Sequence, residues 1–535
     1  MSTPVTPDML DPKTPDDVII QSESRKPETD PTLGIPVMIA KQGTPRHRLV
    51  AIGDSLTQGF QSGAIFNTRH SYPMIIAEEL GWAKQMRYPT YDGTGEGLPL
   101  NLENLARQLE RKYGNSIDWW ELMPALLFLR DTLDANEDYW ERGQGLQLPT
   151  QKDINHNLAV YGWDLCNTLL RNADICKKEI DDHTPKDDFL QQIVENANDR
   201  TALRVLNSAR ENGKALTPLQ AATALGKEGT TETGTGDGIE TLIVLIGANN
   251  ALGSILTFKV NWSAEGYDDM KLNDRYTVWR PIHFHAELNK IVEEVKQIKA
   301  RHVIFGTVPH VTIAPYARGV GGKLAAGSRY FPYYTLPWIG DDMFDPKKHP
   351  SITGQEARAI DSAIDQYNDA IADVVREGRK SGKDWYLFET AGLLDRLASR
   401  RYIEDPSARP SWWTPYPLPS ALQGLSPVPT SQFFMSDPKG RTQGGLFSLD
   451  GIHPTTIGYG IVAQELIKIM QLAGVQFYQD DGKPRKGSID INFERLIQLD
   501  TLISNPPRNV SSVFKLIEWF DRNFNLMSGL LKSNF

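Results

Sequence analysis

The sequence places a serine and a histidine that could act as nucleophile and base near opposite ends of the chain. Ser55 lies in the segment GDSLTQG, and His453 lies in the segment DGIHP, three residues after Asp450. A serine hydroxyl is a weak nucleophile and needs a base such as histidine within hydrogen-bond reach. A carboxylate can then hold the imidazole in the correct tautomer. Taken alone, each segment is also compatible with a helix cap, since Asp and Ser are favoured there.

Two further segments could supply hydrogen-bond donors to a reacting carbonyl group. Asn249 lies in GANN directly after a strongly apolar run, and Gly162 ends the segment NLAVYG. The tetrahedral intermediate of acyl transfer carries a negatively charged oxygen, which such donors stabilise. The Asn249 side-chain amide and the Gly162 backbone N–H are therefore candidates for an oxyanion hole. Each segment could equally be an ordinary turn.

Short apolar runs predict the strands that must position these residues. The runs lie at 48–53, 241–246, 302–308 and 385–389, with a weaker candidate at 154–161. Helical patterns alternate with them, which favours an α/β fold built from right-handed βαβ units and a mostly parallel sheet. Ligands bind at the carboxyl ends of the strands in such sheets. The serine, glycine and asparagine segments all follow predicted strands, so we expect them to meet at that edge.

In this order, the four segments resemble the sequence blocks of the SGNH hydrolases, also called the GDSL family of lipases and esterases. GDSLTQG matches the first block, NLAVYG is similar to the second, GANN is similar to the third, and DGIHP matches the fifth. The third block is usually G-x-N-D, so Asn250 departs from it, and we expect Asn250 to support the loop rather than to react. The resemblance spans residues 48–470. It implies a three-layer α/β/α sandwich of flavodoxin-like type with a mostly parallel sheet.

The resemblance also implies a role for each candidate residue. Ser55 would be the nucleophile, His453 the general base and later the general acid, and Asp450 the residue that orients His453. The Ser55 N–H, the Gly162 N–H and the Asn249 amide would form the oxyanion hole. The implied activity is hydrolysis of carboxylic acyl esters through an acyl-enzyme on Ser55, without a metal or an organic cofactor.

Other functions remain open on the sequence alone. The same triad would serve a carbohydrate deacetylase, a phospholipase, a thioesterase or an acyltransferase. A catalytically silent binding module is a further alternative, although silent copies tend to lose a triad member and this chain retains all three. A surface structural protein with an embedded esterase is also compatible with the length. His283 and His285 could be metal ligands, but no third ligand follows at a suitable spacing, so we expect polar residues at a helix start.

The spacing of the strands predicts one catalytic domain, at 47–475, that carries large insertions. A βα unit needs about 30 residues, whereas several predicted strands are much farther apart. The predicted insertions lie at about 84–150, 175–238, 310–350 and 401–446. Residues 1–46 are Pro-rich and predict an extended, partly disordered leader. Residues 476–535 form a C-terminal extension. The aromatic insertion at 310–350 is a candidate wall or lid over Ser55 that would select the acyl or alcohol group.

Composition excludes several classes of protein. The chain has 535 residues, with 57 basic and 67 acidic side chains and a net charge of −10. That balance argues against a nucleic-acid-binding protein, because phosphate contacts need clustered Lys and Arg.

The sequence contains no run of about 20 apolar residues, so it predicts no transmembrane helix. The N-terminus lacks the pattern of a Sec signal peptide, so a cytoplasmic location is the default expectation. Cys166 and Cys176 cannot form a disulfide framework, and we expect both to be buried. The expected partner is a small-molecule or lipid ester; the oligomeric state is open.

Overall fold

A parallel sheet of four strands forms the centre of the residues that the computed structural model describes, which are 4–39, 43–91, 97–118, 120–183, 194–233, 237–479 and 481–516. The strands are β1 (His47–Gly53), β2 (Ile239–Leu245), β3 (Ala300–Gly306) and β4 (Trp385–Phe388), and they lie in that spatial order. All neighbouring pairs are parallel. The predicted α/β fold with a mostly parallel sheet is therefore confirmed.

Both faces of the sheet are buried, which explains the near-continuous apolar sequence of its strands. One register line runs across the sheet from Val50 to Leu242, Val303 and Trp385. Those side chains belong to one hydrophobic cluster, whereas alternate positions such as Ile243 belong to a second cluster. Helices Pro281–Val295 and Gly354–Lys380 contribute to the first cluster, and helices Tyr72–Glu79 and Thr456–Leu472 contribute to the second. The arrangement is compatible with three layers.

The remaining elements connect and surround this sheet. The other α-helices are Ser55–Gln58, Leu102–Tyr113, Leu122–Glu141, Leu165–Leu170, Ala173–Asp182, Ala197–Leu206, Pro218–Thr233, Asn249–Thr257, Thr390–Leu397, Ser420–Gln423, Phe493–Leu499 and Thr501–Ser504. Short strand pairs and a small three-stranded sheet comprise Ala64–Ile65, Leu98–Pro99, Arg210–Glu211, Lys214–Ala215, Arg318–Val320, Tyr333–Thr335, Ser351–Thr353, Met435–Asp437 and Gly440–Gln443. Within the described residues, no helix is long and apolar enough to cross a membrane.

The weaker strand candidate at 154–161 is not a regular strand. It makes one isolated parallel bridge, between Asn157 and Ala51, and runs beside β1 at the edge of the sheet. The Leu158 N–H donates to the Ala51 carbonyl at 2.8 Å, but the His156 N–H turns away and donates to the Arg87 carbonyl at 2.8 Å. This diversion interrupts the ladder. If the segment is counted as the second strand along the chain, the spatial order is 2-1-3-4-5, which places the topological switch point between β1 and β2.

The insertions are mostly packed onto the central domain. The segment 84–150 contains two helices, and Trp140 on the second is buried, whereas Trp119 lies outside the described residues. The low-complexity end of the insertion at 175–238 is expected to be a flexible loop, but helix Pro218–Thr233 runs into it, and residues 234–236 lie outside the described part. The 401–446 insertion contains little regular structure beyond short helical turns and a strand pair.

The aromatic insertion at 310–350 is largely part of the hydrophobic core. Tyr316, Tyr330 and Tyr334 are buried, and the Tyr330 hydroxyl donates to the Asp361 carboxylate at 3.0 Å. One link to the DGIHP segment is the Tyr316 N–H, which donates to the Gly451 carbonyl at 3.0 Å. The insertion therefore contacts and supports the loop that carries His453. Its aromatic side chains pack in the hydrophobic core and do not form a separate lid.

The leader differs from the expectation of partial disorder over residues 4–39. The segment is extended, but Arg25 forms ion pairs with Glu389 and Asp369, and the Leu387 N–H donates to the Pro31 carbonyl. These contacts fix the leader along β4 and the helices beside it. Composition does not reveal them, because prolines remove N–H donors without removing carbonyl acceptors.

The C-terminal extension is joined to the central domain as far as the structure describes it. The Gln464 side chain on helix Thr456–Leu472 donates to the Ile489 carbonyl and accepts from the Ile491 N–H. Asp500 accepts from the Ile457 N–H at 2.9 Å. The sequence of residues 513–531 is amphipathic and predicts a helix, but most of it falls on residues 517–535, which lie outside the described part.

Candidate active site

Ser55 sits at the turn between β1 and the short helix Ser55–Gln58. Asp54 caps this helix, and its side chain accepts from the Leu56 N–H at 3.1 Å. Burial raises the pKa of the Asp54 carboxyl to about 6. Gly59 ends the helix with a φ of 97°, a left-handed conformation that favours glycine. The helix-cap interpretation thus applies to Asp54, and it leaves the Ser55 hydroxyl available for chemistry.

His453 joins Ser55 and Asp450 in one hydrogen-bonded line. His453 Nε2 lies 2.8 Å from Ser55 Oγ, and His453 Nδ1 lies 3.0 Å from Asp450 Oδ2. Ser55 and His453 are 398 positions apart in the chain. A proton on Nδ1 bonded to the carboxylate leaves Nε2 as an acceptor for the serine proton. The Phe60 ring packs against the imidazole with centroids 4.6 Å apart.

The Asp450 carboxylate is buried and accepts several hydrogen bonds. Its Oδ1 accepts from the backbone N–H groups of Ile452 and His453, and its Oδ2 accepts from the Gly63 N–H at 2.9 Å. Burial alone would raise the pKa of this carboxyl, but His453 and these hydrogen bonds hold it below its usual value. Asp450 is therefore charged at neutral pH and can stabilise an imidazolium at His453.

The three candidate oxyanion donors come from segments that converge at the end of β1. Gly53 pairs in register with Leu245, the last residue of β2, and its carbonyl accepts from the Val160 N–H at 3.2 Å. Ser55 follows the strand that ends at Gly53, Asn249 follows the strand that ends at Leu245, and Gly162 follows the segment that contains Val160. The structure thus brings the predicted donors to the switch point of the sheet, where open α/β sheets bind ligands.

Two of the three donors have an N–H that the local structure leaves free or partly free. Ser55 is the first residue of its helix, and such positions have no intrahelical acceptor for their N–H. Asn249 begins the helix Asn249–Thr257, and one hydrogen of its side-chain amide bonds the Trp163 carbonyl at 2.8 Å. The second amide hydrogen remains for a ligand. Gly162 has a φ of 75°, which accounts for glycine at that turn.

Two residues that the sequence analysis did not assign hold the Gly162 turn. Gln58 is buried, and its side chain accepts from the Tyr161 N–H at 2.8 Å and donates to the Tyr91 hydroxyl at 3.0 Å. Asn198, from the insertion at 175–238, accepts from the Trp163 indole N–H at 2.7 Å and donates to the Tyr161 carbonyl. Gln58 lies inside the GDSLTQG motif and could have been suspected, whereas no local signal marks Asn198.

A second pair of loops fixes the carboxylate and histidine. The Ser62 N–H donates to Ser448 Oγ at 2.8 Å, and the Leu449 N–H donates to Ser62 Oγ at 3.3 Å. Ser448 Oγ in turn donates to Asp450 at 3.2 Å. These reciprocal bonds tie the segment after Ser55 to the segment that carries Asp450. Sequence reasoning missed them because both serines are ordinary loop residues in the sequence.

Asn250, the residue that departs from the third block, is fully buried behind the turn. Its side-chain oxygen lies 3.4 Å from the Leu165 N–H, and its carbonyl accepts from the Trp279 N–H at 2.7 Å. It therefore links three loops around the site and does not reach the triad. This position matches the expected supporting role.

A cavity of about 560 Å³ opens directly beside Gly162 and Asn249. Its lining is polar and includes Asp164, whose side chain caps the helix Leu165–Leu170. Burial raises the pKa of the Asp164 carboxyl to about 7. The cavity volume falls within the range of small-molecule sites.

The candidate metal and cysteine residues have structural explanations. His283 bonds Ser263 at 2.8 Å and stacks on Tyr267, and the described part of the chain contains no group of three or more His, Cys, Asp or Glu side chains arranged to hold a metal ion. Cys166 and Cys176 are both buried and unpaired, as predicted.

Comparison with known proteins adds no identification. No family model matches the chain, and no curated protein sequence matches it. The geometry of the site is therefore the ground on which a function can be assigned.

Proposed function

We propose that this protein is a serine hydrolase of the SGNH type, with a flavodoxin-like three-layer fold, that cleaves carboxylic acyl esters. The observation that carries the proposal is the line from Asp450 Oδ2 through His453 to Ser55 Oγ, with contacts of 3.0 and 2.8 Å. Nucleophile, base and orienting carboxylate in this arrangement are the signature of activated serine. The spatial strand order 2-1-3-4-5 supports the fold assignment.

Acylation follows from the positions of the protons. As Ser55 Oγ attacks the ester carbonyl, His453 Nε2 takes its proton, and Asp450 stabilises the resulting imidazolium. The Ser55 N–H, the Gly162 N–H and the Asn249 amide receive the negative oxygen. Each such donor contributes about 3 kcal/mol in the transition state, because it is oriented before charge develops. His453 then protonates the departing alkoxide, which leaves the acyl group on Ser55.

Deacylation repeats these steps with water as the nucleophile. His453 removes a proton from water, the oxyanion hole receives the second intermediate, and Ser55 leaves with the proton returned by His453. This chemistry requires neither a metal nor an organic cofactor. An alcohol in place of water would make the same machinery an acyltransferase, and a test of products separates the two.

The test is hydrolysis of p-nitrophenyl acetate, butyrate and palmitate by the wild type and by Ser55→Ala. Ser420→Ala is the matched control, because Ser420 is exposed on a short helix outside the site. We expect hydrolysis of at least one ester by the wild type and by the control, with loss in Ser55→Ala of about 10³-fold or more. Equal rates for wild type and Ser55→Ala on all three esters would refute the proposal.

A further inference from the structure

The cavity beside the oxyanion donors is lined by side chains that both donate and accept hydrogen bonds. Asp164 and Asp199 present carboxylates, Arg171 presents a guanidinium, and Asn167 and Asn273 present amides. Several of these groups are held by one another: the Asp164 and Asn167 side chains form a reciprocal cap, and Arg171 pairs with Asp199 at 2.8 Å. The lining is therefore a fixed array of polar groups.

Four polar atoms of residues that line this cavity are buried without a hydrogen-bond partner among the described residues. They are Asn273 Oδ1, Arg171 Nε, Asn196 Nδ2 and Asp199 Oδ1, and the last lies in the ion pair with Arg171. Asn273 is only 3% exposed, and its amide nitrogen lies 3.4 Å from Asp164. Each of these atoms is almost fully covered, so they show that the wall of the cavity is polar below its surface, and the exposed groups decide which ligand fits.

The charge pattern separates the possible ligands. An alkyl chain would leave the carboxylates and amides without partners. A phosphate would face Asp164, Asp199 and Asp274, and only Arg171 and Lys271 would attract it. A metal ion would need at least three converging ligands, and the described residues contain no such group of His, Cys, Asp or Glu side chains. Hydroxyl groups donate and accept together, and so match a lining that mixes carboxylates, amides and a guanidinium.

We propose that this cavity binds the polyhydroxylated alcohol portion of the ester, such as a sugar ring, while its acyl carbonyl lies at Gly162 and Asn249. This proposal rests on the proposed esterase function. Gly162 and Asn249 line the cavity and are also the candidate oxyanion donors, so an ester whose alcohol portion occupies the cavity can place its carbonyl at these two donors. The protein is thus a hydrolase of carbohydrate esters rather than of esters of long-chain alcohols.

The test compares esters that differ in hydroxyl groups and not in ring size. Mono-O-acetyl methyl glucoside, galactoside, mannoside and xyloside are measured beside cyclohexyl acetate, each kcat/KM being divided by the rate of hydroxide hydrolysis of the same ester. We expect at least one sugar acetate to exceed cyclohexyl acetate by about tenfold or more, because a site built for hydroxyls discriminates against a ring that lacks them. Cyclohexyl acetate equal to or better than every sugar ester would overturn the proposal.

Variants assign the preference to the cavity. Asn273→Leu should narrow the ratio of sugar to cyclohexyl ester by about tenfold, and Asn289→Leu, at an exposed position of helix Pro281–Val295, should leave the ratio unchanged. If Asn273→Leu does not fold, Asp274→Asn, at the exposed edge of the cavity, is measured in its place and should also narrow the ratio of sugar to cyclohexyl ester. A ratio unchanged in the folded cavity variants would overturn the proposal.

The same experiment distinguishes this inference from the proposed function. Ser55-dependent hydrolysis of p-nitrophenyl acetate without any sugar preference refutes the sugar site and leaves the esterase standing. Absence of Ser55-dependent hydrolysis of every ester refutes the esterase, and the sugar site with it.

Discussion

At the scale of single residues, catalysis depends on which ring nitrogen of His453 carries the proton of the neutral imidazole. Asp450 is buried, accepts hydrogen bonds from Gly63, Ile452 and His453, and so is held as a carboxylate. It fixes the Nδ1 proton, which leaves Nε2 to accept from Ser55. A neutral side chain of the same shape at position 450 would preserve the shape of the site, but it would no longer fix the proton on Nδ1 of His453.

Asp450→Asn should therefore fold normally and lose kcat by about 10³- to 10⁴-fold, because the amide favours the wrong imidazole tautomer. The measurement is kcat on the best p-nitrophenyl ester together with the thermal midpoint. Asp131→Asn, at an exposed helix position, is the control and should retain activity. Wild-type kcat in Asp450→Asn would contradict the role of Asp450.

Residue type and spacing made Ser55, Asp450 and His453 candidates, and the resemblance of their segments to the SGNH hydrolase blocks implied their roles. The structure brings the three side chains together. Asn198 and Ser448 could not be recognised, because their roles arise only from contacts with distant segments. Such contacts are set by tertiary packing, which local patterns do not encode.

At the scale of elements, catalysis requires that three loops at the ends of adjacent strands keep a fixed spacing. The turn at Gly162 is the least regular of these, because the segment before it makes only one bridge to β1. Gln58 and Asn198 hold the residues on either side of that turn. The segment predicted as a strand at 154–161 does run beside β1, but it does not form a regular strand. The pattern of apolar residues could not show this, because it does not reveal that a backbone N–H of the segment bonds outside the sheet.

Gln58→Met should lower kcat by about 10- to 100-fold with little change in KM, because the Gly162 N–H is needed at the oxyanion and a small misplacement is costly. The readout is the separation of kcat from KM on one ester. Gln423→Met is the control, as Gln423 is exposed on the helix Ser420–Gln423. Unchanged kcat, or a change in KM alone, would show that Gln58 does not position this turn.

A buried histidine links three further elements and makes stability depend on pH. His310 follows β3 and lies between Asp365 on helix Gly354–Lys380 and Asp395 on helix Thr390–Leu397, at 2.9 and 3.1 Å. Burial alone would lower the pKa of His310, but the two aspartates raise it to about 10. The imidazole is therefore charged at neutral pH.

The free energy of unfolding should fall as pH rises from about 6.5 towards 10. The folded state holds the His310 proton over that interval and the unfolded state does not, so the stabilisation is complete below the unfolded pKa and is lost through the folded one. Histidine-selective NMR checks this directly: the His310 ring signals should stay those of an imidazolium up to pH 8. Titration of that ring near pH 6.5 would show that the two aspartates do not hold His310 in its charged form.

At the scale of the whole molecule, the catalytic parts are dispersed along the chain and are joined by the sheet. The insertions and the C-terminal extension, as far as they are described, pack onto one central domain. The leader behaves in the same way, since its Arg25 side chain is largely buried between Asp369 and Glu389. The sequence predicted the extended form of the leader from its prolines, but its attachment depends on partners more than 340 positions away.

Arg25→Met should lower the free energy of unfolding by about 1–3 kcal/mol, because it leaves the part-buried Glu389 carboxylate without its charged partner. Chemical denaturation provides the measurement. Lys26→Met removes the same charge at an exposed neighbouring position and should change stability by no more than about 0.5 kcal/mol. Equal effects of the two substitutions would show that the leader is not held by this pair.

The most direct test of the central claim is covalent labelling of the nucleophile by a fluorophosphonate, which reacts with a serine activated by a neighbouring base. Mass spectrometry of the digested protein identifies the modified residue, and His453→Gln measures the contribution of the base. We expect one label, on Ser55, with a labelling rate about 10³-fold or more lower in His453→Gln. A label on a different residue, no label, or an equal rate in His453→Gln would contradict the role of Ser55 as a nucleophile activated by His453.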